Sequence, residues 1–218
     1  MSTKPISPGH PRKLRIAVLL SGGGRTLLNI QDRIASGELP AEVAVVVASR
    51  PCKGVDRAKA AGLHVTIVPY KDMPDNEAYS AAITEALDRA NVELVCMAGF
   101  LSLWRIPPRY EGKVMNIHPA LLPCFGGKGF YGERVHQAVL TAGLKVSGCT
   151  VHFVNNEYDA GPIIVQRPVP VEEGDTPETL AARVFQQECI AYPDAIRLFA
   201  AGRLKIEGRV VRVLPPGP

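Results

Sequence analysis

Residues 14–24 read LRIAVLLSGGG: a mostly apolar run from Leu14 to Leu20 that stops at Ser21-Gly22-Gly23-Gly24. A short apolar run closed by glycines reads as a buried strand entering a tight turn. Leu27, Leu28, Ile30 and Ile34 follow at helical spacing and predict a helix that stops near Gly37. Glu42–Ser49 is then Val-rich and does not alternate, as a strand buried on both faces of a parallel sheet should be. This strand–turn–helix–strand unit decides the fold class, and the chain downstream repeats it.

Val55–Ala61 predicts a short helix closed by Gly62, and His64–Val68 a third strand. Tyr79, Ala82, Ile83, Ala86, Leu87 and Ala90 share one helical face, with Asp75 or Asn76 available as the cap. Val92–Met97 predicts strand four, ending at Ala98-Gly99. Lys113–Ile117, Gly148–Val154 and Pro162–Val171 predict three further strands, and Glu178–Phe199 a helix broken near Tyr192-Pro193. The alternation predicts an α/β fold, doubly wound, with a mostly parallel central sheet of about seven strands and helices on both faces. Right-handed crossovers then gather the loops after the strands along one edge, where such sheets bind ligands. No repeat or linker divides the chain. One domain over residues 14–206 is expected, between a disordered basic tail (1–13) and a C-terminal tail (207–218).

The 218 residues carry 25 Lys+Arg against 21 Asp+Glu and are 46% hydrophobic, which excludes disorder of the bulk. No apolar stretch approaches the roughly 18 residues of a membrane span. Residues 1–15 hold +4 and residues 200–218 hold +3, leaving −3 for residues 16–199. The basic excess therefore belongs to the two ends, which removes most support for a nucleic-acid partner. Five scattered cysteines form no CxxC pair and no zinc-ligand spacing, and no apolar segment of a secretory signal opens the chain. A reducing cytoplasm fits.

The loop Ser21–Thr26 joins a strand to a helix, so its N–H groups suit a phosphate. It lacks the ending of a P-loop, and a tight turn without ligand is the plainer alternative. Arg50, after the second strand, permits an NADP reading that nothing further along supports. Asn116 and His118 stand two residues apart at a strand end and should project to one side. An Asn amide can donate to an oxyanion, and a His can move protons near neutral pH. Asp159, in a turn-rich loop after another strand, would raise the pKa of His118 if the two met. With no obvious Ser or Cys partner, the set suggests direct attack by a substrate's own nucleophile. Taken singly, His118 reads equally well as a packed strand-end histidine, while Asn116 is more often a turn former and Asp159 more often a loop acid. His136 reads as a helix-end residue, His152 as a packed strand residue, and Trp104 as core more readily than pocket wall.

The segment Asn116-Ile117-His118-Pro119-Ala120-Leu121-Leu122-Pro123 closely resembles the NIHPSLLP segment of the folate-dependent formyltransferases. Ser21–Gly24 and Met97–Phe100 stand ahead of it in the family's order, and Gly148–Phe153, Asp159–Gln166 and Ala181–Val184 behind it. The similarity covers residues 14–206 and is to the branch whose acceptor is glycinamide ribonucleotide. It implies the family's fold and transfer of a formyl group from 10-formyltetrahydrofolate to the ribonucleotide's amine. It also implies that Asn116 polarises the formyl oxygen, that His118 is the general acid/base, and that Asp159 orients His118 and raises its pKa. Gly24, Arg25 and Thr26 would hold the phosphate and Glu188 the ribose. Leu101, Ser102, Leu103, Trp104 and Asn116 would line the folate site.

No metal is implied, because the donor is already an activated amide. The implied partners are these two substrates, with no nucleic acid and no membrane, for a monomer or homodimer. Arg25-Thr26 departs from the family's usual Ser-Asn, and Ser102 and Phe185 replace longer polar side chains. Phe125–Val135 is longer than in compact members and reads either as a mobile lid or as a surface insertion. The branches acting on methionyl-tRNA or hydrolysing the folate would need additional domains, so chain length favours the small acceptor. A non-catalytic phosphosugar-binding module would have no use for Asn116 and Asp159 around His118.

Overall fold

The computed structural model describes residues 12–217. In chain order the elements are β1 (Leu14–Leu20), α1 (Arg25–Ala35), β2 (Ala41–Ala48), α2 (Lys53–Ala60), β3 (Val65–Ile67), α3 (Asn76–Arg89) and β4 (Leu94–Met97). Then come β5 (Val114–His118), α4 (Glu133–Thr141), β6 (Val146–Phe153), β7 (Ile163–Pro170), α5 (Pro177–Ala200), β8 (Leu204–Glu207) and β9 (Val210–Val213). They build one sheet in the order β3-β2-β1-β4-β5-β6-β7-β9-β8.

β1 is apolar from Ile16 to Leu20 because both faces of that stretch are covered. Ile16, Val18 and Leu20 enter a core shared with α1, α2 and α5, while Ala17 and Leu19 enter a second core with Tyr79, Ile83 and Leu87 of α3. β3, β2, β1, β4 and β5 pair in parallel, which sets their carboxyl ends along one edge. Asp75 caps α3, accepting from the Ala78 N–H at 2.8 Å.

Four features differ from the sequence expectation. The sheet has nine strands rather than about seven, because residues 204–213 form a hairpin whose β9 pairs with β7. The boundary expected at 206 therefore falls inside a strand pair. β6 runs antiparallel to both β5 and β7, so the doubly wound pattern stops at β5. α5 runs unbroken through Pro193. A proline forfeits one helical hydrogen bond, and here Ala191, Tyr192 and Ala195 are wholly buried around it, so packing holds the helix together. Of the tail expected for residues 1–13, residues 1–11 lie outside the described residues. Arg12, at the start of those described, pairs with Glu93 at 2.7 Å.

Candidate active site

β5 alternates as the period of two requires. Met115 and Ile117 enter the core under α5, and Asn116 and His118 point to the opposite face. β6 does the same in antiparallel register: Cys149, Val151 and Phe153 go to the core, while Thr150 faces His118 and His152 faces Asn116. Asp159 arrives from the loop after β6. Gly161 folds that loop back so tightly that a Cβ there would lie 1.8 Å from the Phe153 carbonyl oxygen. The four polar side chains meet. Asn116 Nδ2 lies 3.2 Å from His152 Nε2 and donates to Asp159 Oδ1 at 3.4 Å. His118 Nδ1 stands 3.5 Å from Asp159 Oδ2, and His152 Nε2 3.6 Å from Asp159 Oδ1. The expected trio is therefore together, with His152 as a fourth member.

Backbone carbonyls fix both tautomers, because a carbonyl can only accept. His118 Nε2 donates to the Phe125 oxygen and His152 Nδ1 to the Phe153 oxygen, each at 2.8 Å. The free nitrogen of His118 is thus Nδ1, turned toward Asp159. Both groups that hold His118 sit on left-handed backbone: φ is 53° at Phe125 and 52° at Asp159. Such conformations cost about 1 kcal/mol or more for a side chain with a Cβ and persist where the surroundings enforce them.

Burial pushes the His118 pKa down. The Asp159 charge and the Phe125 carbonyl oppose burial without cancelling it, so the net shift is downward. This corrects the expectation of a raised pKa: removing the imidazole from water outweighs its carboxylate. For Asp159, burial pushes upward but is overcome by the neighbouring His152 and His118 rings and the Gly127 N–H, leaving it below the ordinary carboxylate value. At neutral pH the pair is a carboxylate beside a neutral imidazole.

One cavity, of about 390 Å³, opens beside this cluster at the glycine loop. Gly24 has φ 71°, and a Cβ on it would meet Gly54 Cα at 2.7 Å, so only glycine lets the loop lie against α2. Arg50 donates to the Ser21 carbonyl at 2.9 Å and Arg57 to the Gly23 carbonyl at 2.6 Å, tying the loop down. Arg50 is thereby committed to the loop, which leaves the NADP reading without its residue.

Gly24, Arg25 and Thr26 of the α1 N-terminus, Gly132 and Glu133 of the α4 N-terminus and Glu178 of the α5 N-terminus all line this cavity. Arg25 lies over the Phe185 ring, 4.0 Å from its centroid, so two of the departures from the family pattern stack on each other. Glu188, also in the wall, is pushed up to about 7 by desolvation against the pull of Arg25.

A second cavity, of about 440 Å³, lies across the cluster, between Phe100, Leu101, Tyr158 and residues 127–132. Gly99, Ile117, Pro119 and Gly132 belong to the walls of both. Leu101, Phe130, Tyr131 and Tyr158 are exposed around the second opening. Ser102, Leu103 and Trp104 line a smaller recess under Asn116 and Asp159. Trp104 is buried, and its indole N–H donates to Thr84 at 3.1 Å, so it offers a ligand only a ring edge. Residues 125–127 are fastened to the cluster, since the Gly127 N–H donates to Asp159 at 2.9 Å.

His152 was missed as a site residue. Its only signal was two-residue spacing from Thr150, which a core histidine shares; the antiparallel pairing that sets it against Asn116 is a long-range fact.

The acid–base cluster thus stands at a strand edge between a cavity ringed by helix N-termini and one lined by aromatic side chains. The chain belongs to the formyl transferase family, whose profile matches residues 14–196. It is similar to the chloroplastic phosphoribosylglycinamide formyltransferase of Arabidopsis thaliana, 37% identical over 91% of this chain and 70% of that protein. It is also 38% identical to the trifunctional purine biosynthetic protein adenosine-3 of Bos taurus, over 92% of this chain. There it spans only 20% of the relative's length. Among solved structures, glycinamide ribonucleotide transformylase 1 from Symbiobacterium toebii superposes with a TM-score of 0.88 and 44% identity, covering 94% of this chain and 96% of that one. Among the described residues, no helix is long and apolar enough to cross a membrane.

Proposed function

We propose that this chain transfers the formyl group of 10-formyltetrahydrofolate to the amine of glycinamide ribonucleotide, a step of purine biosynthesis. The observation that carries the reading is the pair of adjoining cavities that share Gly99, Ile117, Pro119 and Gly132, with Asn116 and His118 in the wall of the second. One is ringed by helix N-termini, as a phosphosugar requires, and the other by aromatic and aliphatic side chains, as a flat heteroaromatic donor requires.

Asn116 Nδ2 is the donor to the formyl oxygen. Its 3.4 Å contact with Asp159 is long, so that N–H is the one released to the substrate. The acceptor's neutral amine attacks the formyl carbon, and the carbonyl π pair moves to oxygen. His118 Nδ1 takes the proton leaving the amine, and the imidazolium lies between the Phe125 carbonyl and the Asp159 carboxylate. The same proton passes to the departing folate nitrogen as the tetrahedral carbon collapses and the C–N bond breaks. His152 accepts from Asn116 and keeps the amide turned toward the reacting carbon.

Gly24, Arg25 and Thr26 receive the phosphate and Glu188 the ribose. Leu101, Ser102 and Leu103, with the edge of Trp104, flank the folate. No step requires a metal, because the donor is an activated amide. The reading places the enzyme in the cytoplasm, as a monomer or homodimer with no nucleic-acid or membrane partner; the five unpaired cysteines agree with a reducing compartment.

The test is a two-substrate formyl-transfer assay with methionyl-tRNA as a competing acceptor. Turnover should require the ribonucleotide and proceed without added metal. No turnover with both substrates, together with NADPH binding, would overturn the reading.

A further inference from the structure

His136 lies in the first turns of α4, 4% exposed, with its ring in the wall of the glycine-loop cavity beside Arg25, Phe185 and Glu188. Its Nδ1 is shut off from solvent and has no hydrogen-bond partner among the described residues. A buried imidazole without a partner is a cost that an apolar ring of the same size would avoid. Desolvation, reinforced by the nearby His118, pushes its pKa down to about 4. Near pH 7 the ring is neutral and adds no charge toward a phosphate. It can still both donate and accept a hydrogen bond.

Its place in the cavity narrows the choice of ligand group. The glycine loop lines the same cavity, and His118 lies close enough for its charge to act on His136. Glu133 and Glu178 also line the wall, and no side chain caps α4 at Gly132.

We propose that His136 is an acceptor-binding residue, hydrogen-bonding an uncharged hydroxyl or amide group of the phosphosugar amine in the span between its phosphate and its amine. The assignment rests on the function proposed above and adds a contact to it. The ligand supplies the partner that the fold withholds.

The test is His136→Phe, which keeps the ring and removes both nitrogens, read by steady-state kinetics, calorimetric titration with the ribonucleotide alone, and thermal unfolding. The expected result is an acceptor KM and Kd raised about tenfold, as for one lost hydrogen bond. The folate KM should stay within twofold, and the unfolding midpoint should be unchanged or higher. His136→Gln, which restores a neutral donor and acceptor, should recover part of the loss, and it decides the matter if the Phe variant fails to fold. An unchanged acceptor Kd overturns the proposal. So does a lowered midpoint with both KM values rising together, which marks a packing residue. A wild-type chain that binds the ribonucleotide but shows no formyl transfer would instead overturn the function reading.

Discussion

Replacing Asp159 by Asn tests the electrostatic core of the site while leaving its shape alone. The amide is isosteric, and Asn tolerates the φ of 52° at this position as well as Asp does, so the loop should keep its course. What disappears is the negative charge 3.5 Å from His118 Nδ1, where the imidazolium proton sits during transfer. At an effective dielectric of about 20, unit charges at that separation attract by about 5 kcal/mol. The amide dipole retains part of that, so about 3–4 kcal/mol should be lost from the transition state, or on the order of 10²–10³ in kcat.

The pH profile supplies a second reading with a definite sign. His118 works as a base, so the rate rises with pH through its pKa, which already lies below the ordinary value. The Asp159 charge is the largest effect raising that pKa, so its loss should move the acid limb of kcat to lower pH while the plateau falls. The assay is kcat from about pH 4.5 to 8 with both substrates saturating, with circular dichroism to check the fold. A plateau within about threefold of wild type, or an acid limb displaced upward, would refute the role assigned to Asp159.

Arg25→Ala removes the guanidinium stacked on Phe185 at the cavity mouth. It should raise the ribonucleotide KM about tenfold with the folate KM unchanged, and equal effects on both substrates would count against a phosphate contact. Tyr192→Phe takes away the buried hydroxyl bonded to the Met97 and Met115 carbonyls, at 2.9 and 3.0 Å. Urea titration should show a loss of about 1–2 kcal/mol, and an unshifted midpoint would mean water replaces the hydroxyl. Acid should destabilise the fold through His136, whose pKa falls from 6.5 to about 4 on folding. The unfolded chain binds the proton first as pH drops, so stability is full above about 6.5 and declines until about 4, by about 3 kcal/mol in total. Urea titrations of wild type and His136→Phe from pH 7 to 4.5 should diverge by about 2–3 kcal/mol, and parallel curves would refute the linkage.

What could be read ahead of the structure was local. β1, β2 and β4 announce themselves because strands buried on both faces are largely apolar runs, and glycines mark where β1 and β4 turn. Asn116 and His118 were placed on one face by period alone. Asp159 was a loop acid until the resemblance tied it to His118, and the structure brings the two together. His152 and His136 were out of reach for one reason. A histidine on a strand or in a first helical turn looks the same in sequence whether it packs or lines a cavity, and only strand pairing or helix placement separates the cases. The β8–β9 hairpin escaped because Lys205, Glu207, Arg209 and Arg212 interrupt its short apolar stretches, and its strands remain largely exposed. The sign of the His118 shift failed because spacing reveals a neighbouring carboxylate but not the burial that outweighs it.

Charge shows most clearly why composition misleads. Residues 16–199 carry −3, and the titratable side chains in the glycine-loop cavity are Arg25 and His136 against Glu133, Glu178 and Glu188. Counted by side chains, the cavity should repel a phosphate. Its attraction comes from the backbone: three helix N-termini meet there, each equivalent to roughly half a positive charge. Desolvation then lifts Glu188 to about 7, so its repulsion near neutral pH is reduced. The basic residues that set the chain's net charge sit at its two ends. The field that matters for the ligand is built from peptide dipoles, which no residue count includes.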